Sequence, residues 1–573
     1  MKTTKLLKEK AILFGIGLLS SLGLSAQGQA TLQAIHNSPH PTAEKVDIWV
    51  SYTGVETKLL TDFGFREATG FVTVPAGIPL TVSVALPGST TISDTVAGLS
   101  ITATLADGER YLLIAQGNVS PTGYAPNPGG LDTRFSFVPV GGIRSQSNNP
   151  ANVDFLVVHG SPDAPAVDVY AQGIPTPLIP NLAFNNASGY IEVPADKYFI
   201  NVNVAGTQTT AFVRTADLTS LAGNAVTVFA SGYLDPSNNQ GGPAFGLFAA
   251  LENGTVVELP TPSARAQVVH NAADPAAAEV DIYVNGQKAI PNFAFRSATP
   301  YLDLPAQQSI SVGVAPANST NASEIIASFP FELEDEATYI VVANGVLAPA
   351  AFAANPSSKS IGFDLYPILN AREEANDDTK VDVIVFHGAT DAPAVDVATA
   401  GTNLIENLAY GESQGYLSVD PADYILDIIP SNTSDVLVKY DAPLATLAGQ
   451  SVTVIASGFL SPSDNQDGAP FGLIAVLADG TVLPLTLNTA SVKSISNVQG
   501  KVYPNPSSTF FQVEVADMIS ANYEITSVSG QVVANGSWLN GQKINTNDLP
   551  LGLYYFKLFS DNKVLYAPIQ VVR

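Results

Sequence analysis

FLVVHGSPDAPAVDVYA, residues 155–171, carries the pattern from which the fold of this chain is read. An apolar run ends in His159, a short Pro-bearing loop follows, and AVDVYA then alternates. Val167 and Val169 fall on one face and Asp168 and Tyr170 on the other, which is the period of a β-strand. The stretch returns as QAIHNSPHPTAEKVDIWV from Gln33, QVVHNAADPAAAEVDIYV from Gln267 and VIVFHGATDAPAVDVAT from Val383. Its fixed points are His36, His159, His270 and His387, followed by Asp47, Asp168, Asp281 and Asp396. A β-unit recurring at this spacing is an internal repeat, and it organises everything around it.

Working outward, each copy is followed by the same events. A four-residue segment reads DFGF (62–65), NLAF (181–184), NFAF (292–295) and NLAY (407–410). A strand opening on an aromatic and reaching a proline comes next: FVTVPAG, YIEVPAD, YLDLPAQ and YLSVDPAD. Late in the repeat stands an apolar, β-branched run, YLLIAQG, VTVFASG, YIVVANG or VTVIASG, as a central strand requires. Asn-Gly and Asp-Gly pairs at 107–108, 253–254, 285–286 and 479–480 mark tight turns. Helical periodicity is scarce; DLTSLAG near 217–223 has room for about one turn of helix. The expected fold class is all-β: tandem Ig-like β-sandwich repeats and a small C-terminal β-sandwich. The His-to-Asp offset is 11, 9, 11 and 9, so repeats 1 and 3 resemble each other, as do 2 and 4. An ancestral two-repeat unit was duplicated on this reading. Sandwiches on short linkers are expected to form an extended rod.

Composition agrees. The chain has 573 residues, with 45 Gly and 40 Pro but only 13% charged residues, a turn-rich profile. Its net charge of −26 disfavours nucleic acid, which needs a cationic footprint. There is no cysteine, which removes disulfides, thiol catalysis and cysteine-based zinc sites. Lys2, Lys5, Lys8 and Lys10 precede an uncharged apolar run over 11–26 ending in Ser25 and Ala26, the layout of a secretory leader. No later stretch is long and apolar enough to span a bilayer, so the mature chain is expected to carry no transmembrane anchor. The expected domains are a signal peptide over 1–26, repeats over 27–140, 150–260, 264–368 and 378–488, and a C-terminal domain over 499–573. Boundaries fall where composition shifts, most plainly in NAREEANDDTK (370–380).

Through HGSPDAPAVDVY (159–170) and HGATDAPAVDVA (387–398), the repeats resemble the bacterial domain of unknown function 4397 family, over roughly residues 31–488. That resemblance implies an extracytoplasmic β-sandwich and no assigned activity. The last module resembles the type IX secretion C-terminal sorting domain of Bacteroidetes. VYPNPSS (502–508), ITSVSGQVV (525–533) and INTNDLPLGLYYFKL (544–558) carry the likeness. Its motif residues are Tyr503, Pro504, Asn505, Pro506, Leu549, Gly552 and Tyr554. The resemblance implies recognition by the type IX machinery, export, removal of the domain, and a surface-attached or released product.

The repeated His and Asp invite a catalytic or metal reading, because a carboxylate can orient a histidine base and histidine is a metal ligand. No nucleophile recurs beside them: Ser38 and Ser161 are matched by Ala272 and Ala389. One His per repeat also lacks a second nitrogen ligand for zinc. The pairs are therefore read as serving the fold. Gly411-Glu-Ser-Gln-Gly415 has the spelling of a nucleophile elbow, but a strand follows where a helix should. No cofactor is assigned beyond a candidate Ca²⁺ in DPSNNQGG (235–242) and SPSDNQDG (461–468), with Asp235, Asp464 and Asp467 as oxygen ligands. Trp49, Tyr170, Tyr283 and Tyr233 are candidate stacking platforms for sugars, against a packing role. The expectation is a non-enzymatic secreted or cell-surface protein with structural or adhesive repeats that bind a surface glycan or protein. The alternatives are a secreted hydrolase using the His/Asp pairs and a calcium-stabilised surface scaffold.

Overall fold

The computed structural model describes residues 28–488, 496–516, 518–528, 531–560 and 563–573. The expected leader lies outside the described residues. Among them the chain is all-β, with seven single-turn 3₁₀ pieces and no α-helix. The segment 217–223 is a strand end and a turn. No helix of the described residues is long and apolar enough to cross a membrane.

Each repeat is two sheets packed face to face. In the first sheet the strand that carries the histidine sits centrally: Gln29–Asn37, Asn152–His159, Ser263–His270 and Val381–His387. It pairs antiparallel with the strand that reaches the proline and parallel with the late apolar strand. In the second sheet the aspartate strand is flanked by two antiparallel partners, as at Lys45–Tyr52 between Val55–Gly64 and Pro79–Ala85. Inward side chains of both sheets fill the core, for example Leu32, Ile48, Val50, Leu60, Val82 and Leu113 in repeat 1. The C-terminal domain packs a five-stranded sheet on a three-stranded one around Phe511, Trp538 and Phe556.

The histidine strand is apolar on both faces, and the second face decides the assembly. In repeat 2 Val157 points into the sandwich, while Leu156 and Val158 point out. They meet Ile35, Leu112 and Ile114 of repeat 1, and Phe229 and Phe248 complete this second core. Repeats 3 and 4 do the same with Val269, Ile340 and Val342 against Ile384, Phe386, Ile455 and Ile474. Sequence alone left open whether odd and even repeats pack as a pair; they join sheet to sheet as 1–2 and 3–4.

Equivalent polar contacts seal the two pairs. Gln33 Nε2 donates to Leu251 O at 2.8 Å, and Gln267 Nε2 donates to Leu477 O at 2.7 Å. Arg66 Nε donates to Ser231 Oγ at 3.0 Å and Nη2 to Ala244 O at 2.6 Å. Arg296 does so to Ser457 Oγ at 2.9 Å and Pro470 O at 2.8 Å. The Asn-Gly turn of repeat 2 presses its Gly254 against the backbone of repeat 1; a Cβ there would lie 2.6 Å from Gly70 N. Gly480 meets Thr299 and Pro300 in the same way, so glycine is needed for the approach as well as for the turn.

Candidate functional site

The repeated histidine closes its strand, and its ring turns back over the following loop. Nε2 lies 2.6 Å from Ala43 O in His36, 3.0 Å from Pro165 O in His159, 2.8 Å from Ala277 O in His270 and 3.0 Å from Pro393 O in His387. A carbonyl only accepts, so Nε2 carries a proton. All four rings are buried. Burial pushes His36 down to about 4 and lowers the other three as well, against the smaller opposing effect of the carbonyl. The other nitrogen, Nδ1, accepts from Ser38 N in His36 and from Ala272 N in His270, both at 3.4 Å, and is buried in His159 and His387.

The repeated aspartate stands in the other sheet and faces a different partner. Asp47 Oδ1 accepts from Asp62 N at 3.0 Å, and Oδ2 takes Lys58 Nζ at 2.8 Å and Ser89 Oγ at 2.7 Å. Asp281 repeats this with Asn292 N at 2.8 Å, Lys288 Nζ at 2.6 Å and Ser319 Oγ at 2.6 Å. Those hydrogen bonds and the Lys288 ammonium outweigh burial and hold Asp281 at about 2. Asp168 takes Asn181 N at 2.7 Å and Gly206 N at 2.9 Å. Asp396 takes Asn407 N at 2.7 Å and Ser431 Oγ at 2.8 Å.

The two repeated residues therefore grip one shared target, the four-residue segment DFGF, NLAF, NFAF or NLAY. Its first residue is Asp or Asn at positive φ: 53° at Asp62, 51° at Asn181, 50° at Asn292 and 53° at Asn407. Asp and Asn visit this region at low cost, and the repeat aspartate binds the N–H exposed there. Its last residue is the aromatic that meets the histidine ring edge-on: Phe65 at 6.5 Å, Phe184 at 6.3 Å, Phe295 at 6.3 Å and Tyr410 at 6.4 Å. The segment crosses between the sheets, with Asp at one end and His at the other.

Sequence reading missed a third position, four residues past the histidine. Asp163 there takes Leu234 N at 2.8 Å, Asp235 N at 3.0 Å and Asn239 Nδ2 at 2.8 Å. Asp391 holds Leu460, Ser461 and Asn465 in the same manner, and Asp274 holds Leu347 N. Repeat 1 has His40 instead, its ring tilted against Tyr124 at 5.2 Å, and Tyr124 in turn stacks on Tyr233 at 5.6 Å. The constant offset from the histidine was the available signal.

Asp235 spends one oxygen on Ser237 N, Ser237 Oγ and Asn238 N and the other on Asn238 Nδ2, which caps its own 3₁₀ turn. Asp464 and Asp467 are exposed. Among the described residues no three His, Asp or Glu side chains converge in a metal-binding group. The sugar-platform reading is overturned: Trp49, Tyr170, Tyr283 and Tyr233 are all buried, and Trp49 Nε1 donates to Ser89 Oγ at 2.9 Å. In the last domain Asn505 laces the Pro-Asn-Pro opening to the final strand. Its Nδ2 donates to Pro568 O at 2.7 Å and its Oδ1 accepts Gln570 N at 2.9 Å. Leu549 and Tyr554 lie in the core, and Gly552 pairs with Val571. Tyr503 is half-exposed and donates to Glu514.

With this geometry in hand, the family relation is direct. The model described as "Domain of unknown function (DUF4397)" matches residues 153–274, 264–361 and 381–471, over half of the chain. The chain belongs to the DUF4397 family. Repeat 1 lies before the matched residues and joins the other DUF4397 repeats here through its fold and its His/Asp lock. Residues 501–571 match the model "Secretion system C-terminal sorting domain". That domain implies export by type IX secretion to the cell surface or the extracellular space. No curated protein matches. Among solved structures, "The Bacillus anthracis TIE protein" is 9% identical at TM-score 0.12, covering 82% of this chain and 76% of that one. The pneumococcal "multi-modular glycogen-degrading" virulence factor SpuA is 8% identical at TM-score 0.11, covering 72% and 37%. Likenesses at such scores bear on neither fold nor function.

Proposed function

We propose that the exported protein is a non-enzymatic surface or secreted scaffold whose paired repeats present a binding face to a surface glycan or to another protein. The observation that carries this reading is the shared grip of the repeat histidine and aspartate on the DFGF, NLAF, NFAF and NLAY segments. The residues that look most like chemistry are consumed by the architecture, and their duplication multiplies a folding device. Sheet-to-sheet pairing supports the same reading, since it makes two stiff blocks suited to holding a ligand away from the cell. The blocks also meet one another: Lys197 Nζ lies 2.9 Å from Asp335 of repeat 3.

The test is a glycan and extracellular-protein array probed with the exported chain, run beside hydrolase assays on ester, peptide and glycosidic substrates. Saturable binding without turnover is expected. Turnover that disappears on His159→Gln, in a variant that keeps the wild-type melting temperature, would establish the hydrolase instead.

A further inference from the structure

The even repeats share a sandwich but not its filling. Between the sheets of repeat 4 the free volume is about 100 Å³, whereas in repeat 2 it is about 520 Å³. An engineered apolar cavity of about 150 Å³ already takes up benzene, and small-molecule sites span about 300–1,000 Å³. The repeat 2 cavity has apolar walls that include Phe155, Val157, Val169, Ile200, Val202 and Leu247. Lys197 and Val204, the two ends of one strand, both border it, so it runs the length of the sandwich, roughly 23 Å at a strand's rise. Glu336, at the Lys197 end, is exposed, so that end meets solvent.

Two differences between the repeats accompany the space. Repeat 4 has Tyr440 on the strand Val438–Pro443, opposite Leu426, with its ring in the core 6.2 Å from Phe471. Repeat 2 has Arg214 at that place, opposite Ile200 and therefore on the inward face. Repeat 4 also zips this strand to Thr486–Leu487, which closes the seam between the sheets. The matching residue in repeat 2 is Pro260, which accepts Thr215 N at 2.8 Å but has no N–H to return, and the ladder stops there.

Arg214 stands directly behind the cavity wall, packed on two of its rings. The residue is 9% exposed. Its guanidinium lies 5.5 Å and 5.8 Å from the rings of Phe212 and Phe245, both cavity walls. Its Nη1 donates to Val213 O at 2.9 Å, and among the described residues no carboxylate lies within ion-pair distance of it. Burial lowers its proton affinity, and the carboxylate whose charge opposes this, Glu258, is exposed and outside ion-pair distance, so a ligand carboxylate would relieve the burial with two parallel hydrogen bonds. Lys197, the cation among the wall residues, is already bound to Asp335, and the wall carboxylates Asp217 and Glu258 are exposed.

We propose that repeat 2 binds one long-chain carboxylate, with its alkyl chain between the two sheets and its head group on Arg214. The test titrates the exported chain with dodecanoate and, separately, dodecanol, followed by calorimetry and native mass spectrometry. One equivalent of dodecanoate is expected to bind and raise the melting temperature, with dodecanol weaker. Arg214→Met is expected to weaken dodecanoate by about tenfold or more while leaving dodecanol unchanged, the scale of a charge-assisted hydrogen bond. Val202→Phe, which fills the cavity, should abolish both; Ala216→Leu replaces it if the phenylalanine variant loses the wild-type circular dichroism. The proposal is overturned by absence of saturable one-to-one binding, by dodecanol binding more tightly than dodecanoate, by undiminished dodecanoate binding to Arg214→Met, or by binding that survives in a folded, filled variant.

Discussion

Acidification should loosen repeat 1 before any carboxylate titrates. His36 is neutral and buried, with its proton on Nε2 and its ring held by Ala43 O. Its folded-state value lies at about 4, against 6.5 for an exposed imidazole. The unfolded chain therefore binds the proton first, and stability falls as pH drops below about 6.5. The two values place the loss at about 2 kcal/mol by pH 5 and about 3 kcal/mol by pH 4, after which it levels off. Asp281, held at about 2 by Lys288 and its hydrogen bonds, loses its own contribution only below about pH 4, so the two windows separate. Ring ¹⁵N spectra can follow every histidine, because the chain has five. Nε2–H tautomers with no protonation above pH 5 are expected for His36, and urea unfolding of repeat 1 at pH 7.5, 5 and 4 should show the loss. A His36 ring that titrates near 6.5, or carries its proton on Nδ1, would refute the reasoning.

Other perturbations probe the remaining contacts. Phe229→Ala empties the second core between repeats 1 and 2 and should cost about 3–5 kcal/mol in their urea transition, leaving that of repeats 3–4 in place. Asp281→Asn removes the carboxylate shared by Lys288, Ser319 and Asn292 N; a loss of about 2 kcal/mol is expected by denaturant melt, moderated by the half-exposed lysine. Residues 150–260 expressed alone should self-associate on size-exclusion chromatography, whereas residues 28–260 stay monomeric; a well-behaved monomeric repeat 2 would contradict the shared core. Asn505→Ala should destabilise the C-terminal domain by about 1–2 kcal/mol in a urea melt, since it frees Pro568 O and Gln570 N.

Much of the architecture was legible because it rests on local patterns. Alternation in AVDVYA and the β-branched run VTVFA announce strands wherever they are packed. The tight turn at Asn253-Gly254 was equally plain, but its second use, the close approach to Gly70, depends on a partner 184 residues away. Leu156 and Val158 read as buried without saying what buries them, so the sheet-to-sheet pairing stayed open. The target shared by His and Asp was hidden for another reason. Asp47 lies 15 residues before Asp62, while Asp281 lies 11 before Asn292, so no constant spacing ties anchor to segment. Arg214 in AFVRTAD looks like an ordinary polar position of an alternating strand; only the register opposite Ile200 turns it inward.

The pairing also gives a physical reason for two kinds of repeat. In the odd repeats the loop after the histidine is two residues longer and winds one 3₁₀ turn, Pro41–Ala43 or Pro275–Ala277, so the ring meets a carbonyl seven residues on. In the even repeats the loop is shorter and the ring meets Pro165 or Pro393, six residues on. The shorter loop is the one against which the partner leans. Asn127 Nδ2 of repeat 1 donates to Pro162 O and Ala164 O, and Asn355 Nδ2 of repeat 3 donates to Thr390 O and Ala392 O. The longer loops make a different contact: Ala273 packs on Phe459 of repeat 4, while Asp274 is occupied within its own repeat and the His40 ring lies 5.2 Å from that of Tyr124. A two-fold sheet contact is thereby made directional, with one member supplying an asparagine arm and the other a short loop to receive it. With that division a single repeat copied alone would leave an arm or a loop unpaired, which fits the resemblance of repeat 1 to repeat 3 and of repeat 2 to repeat 4.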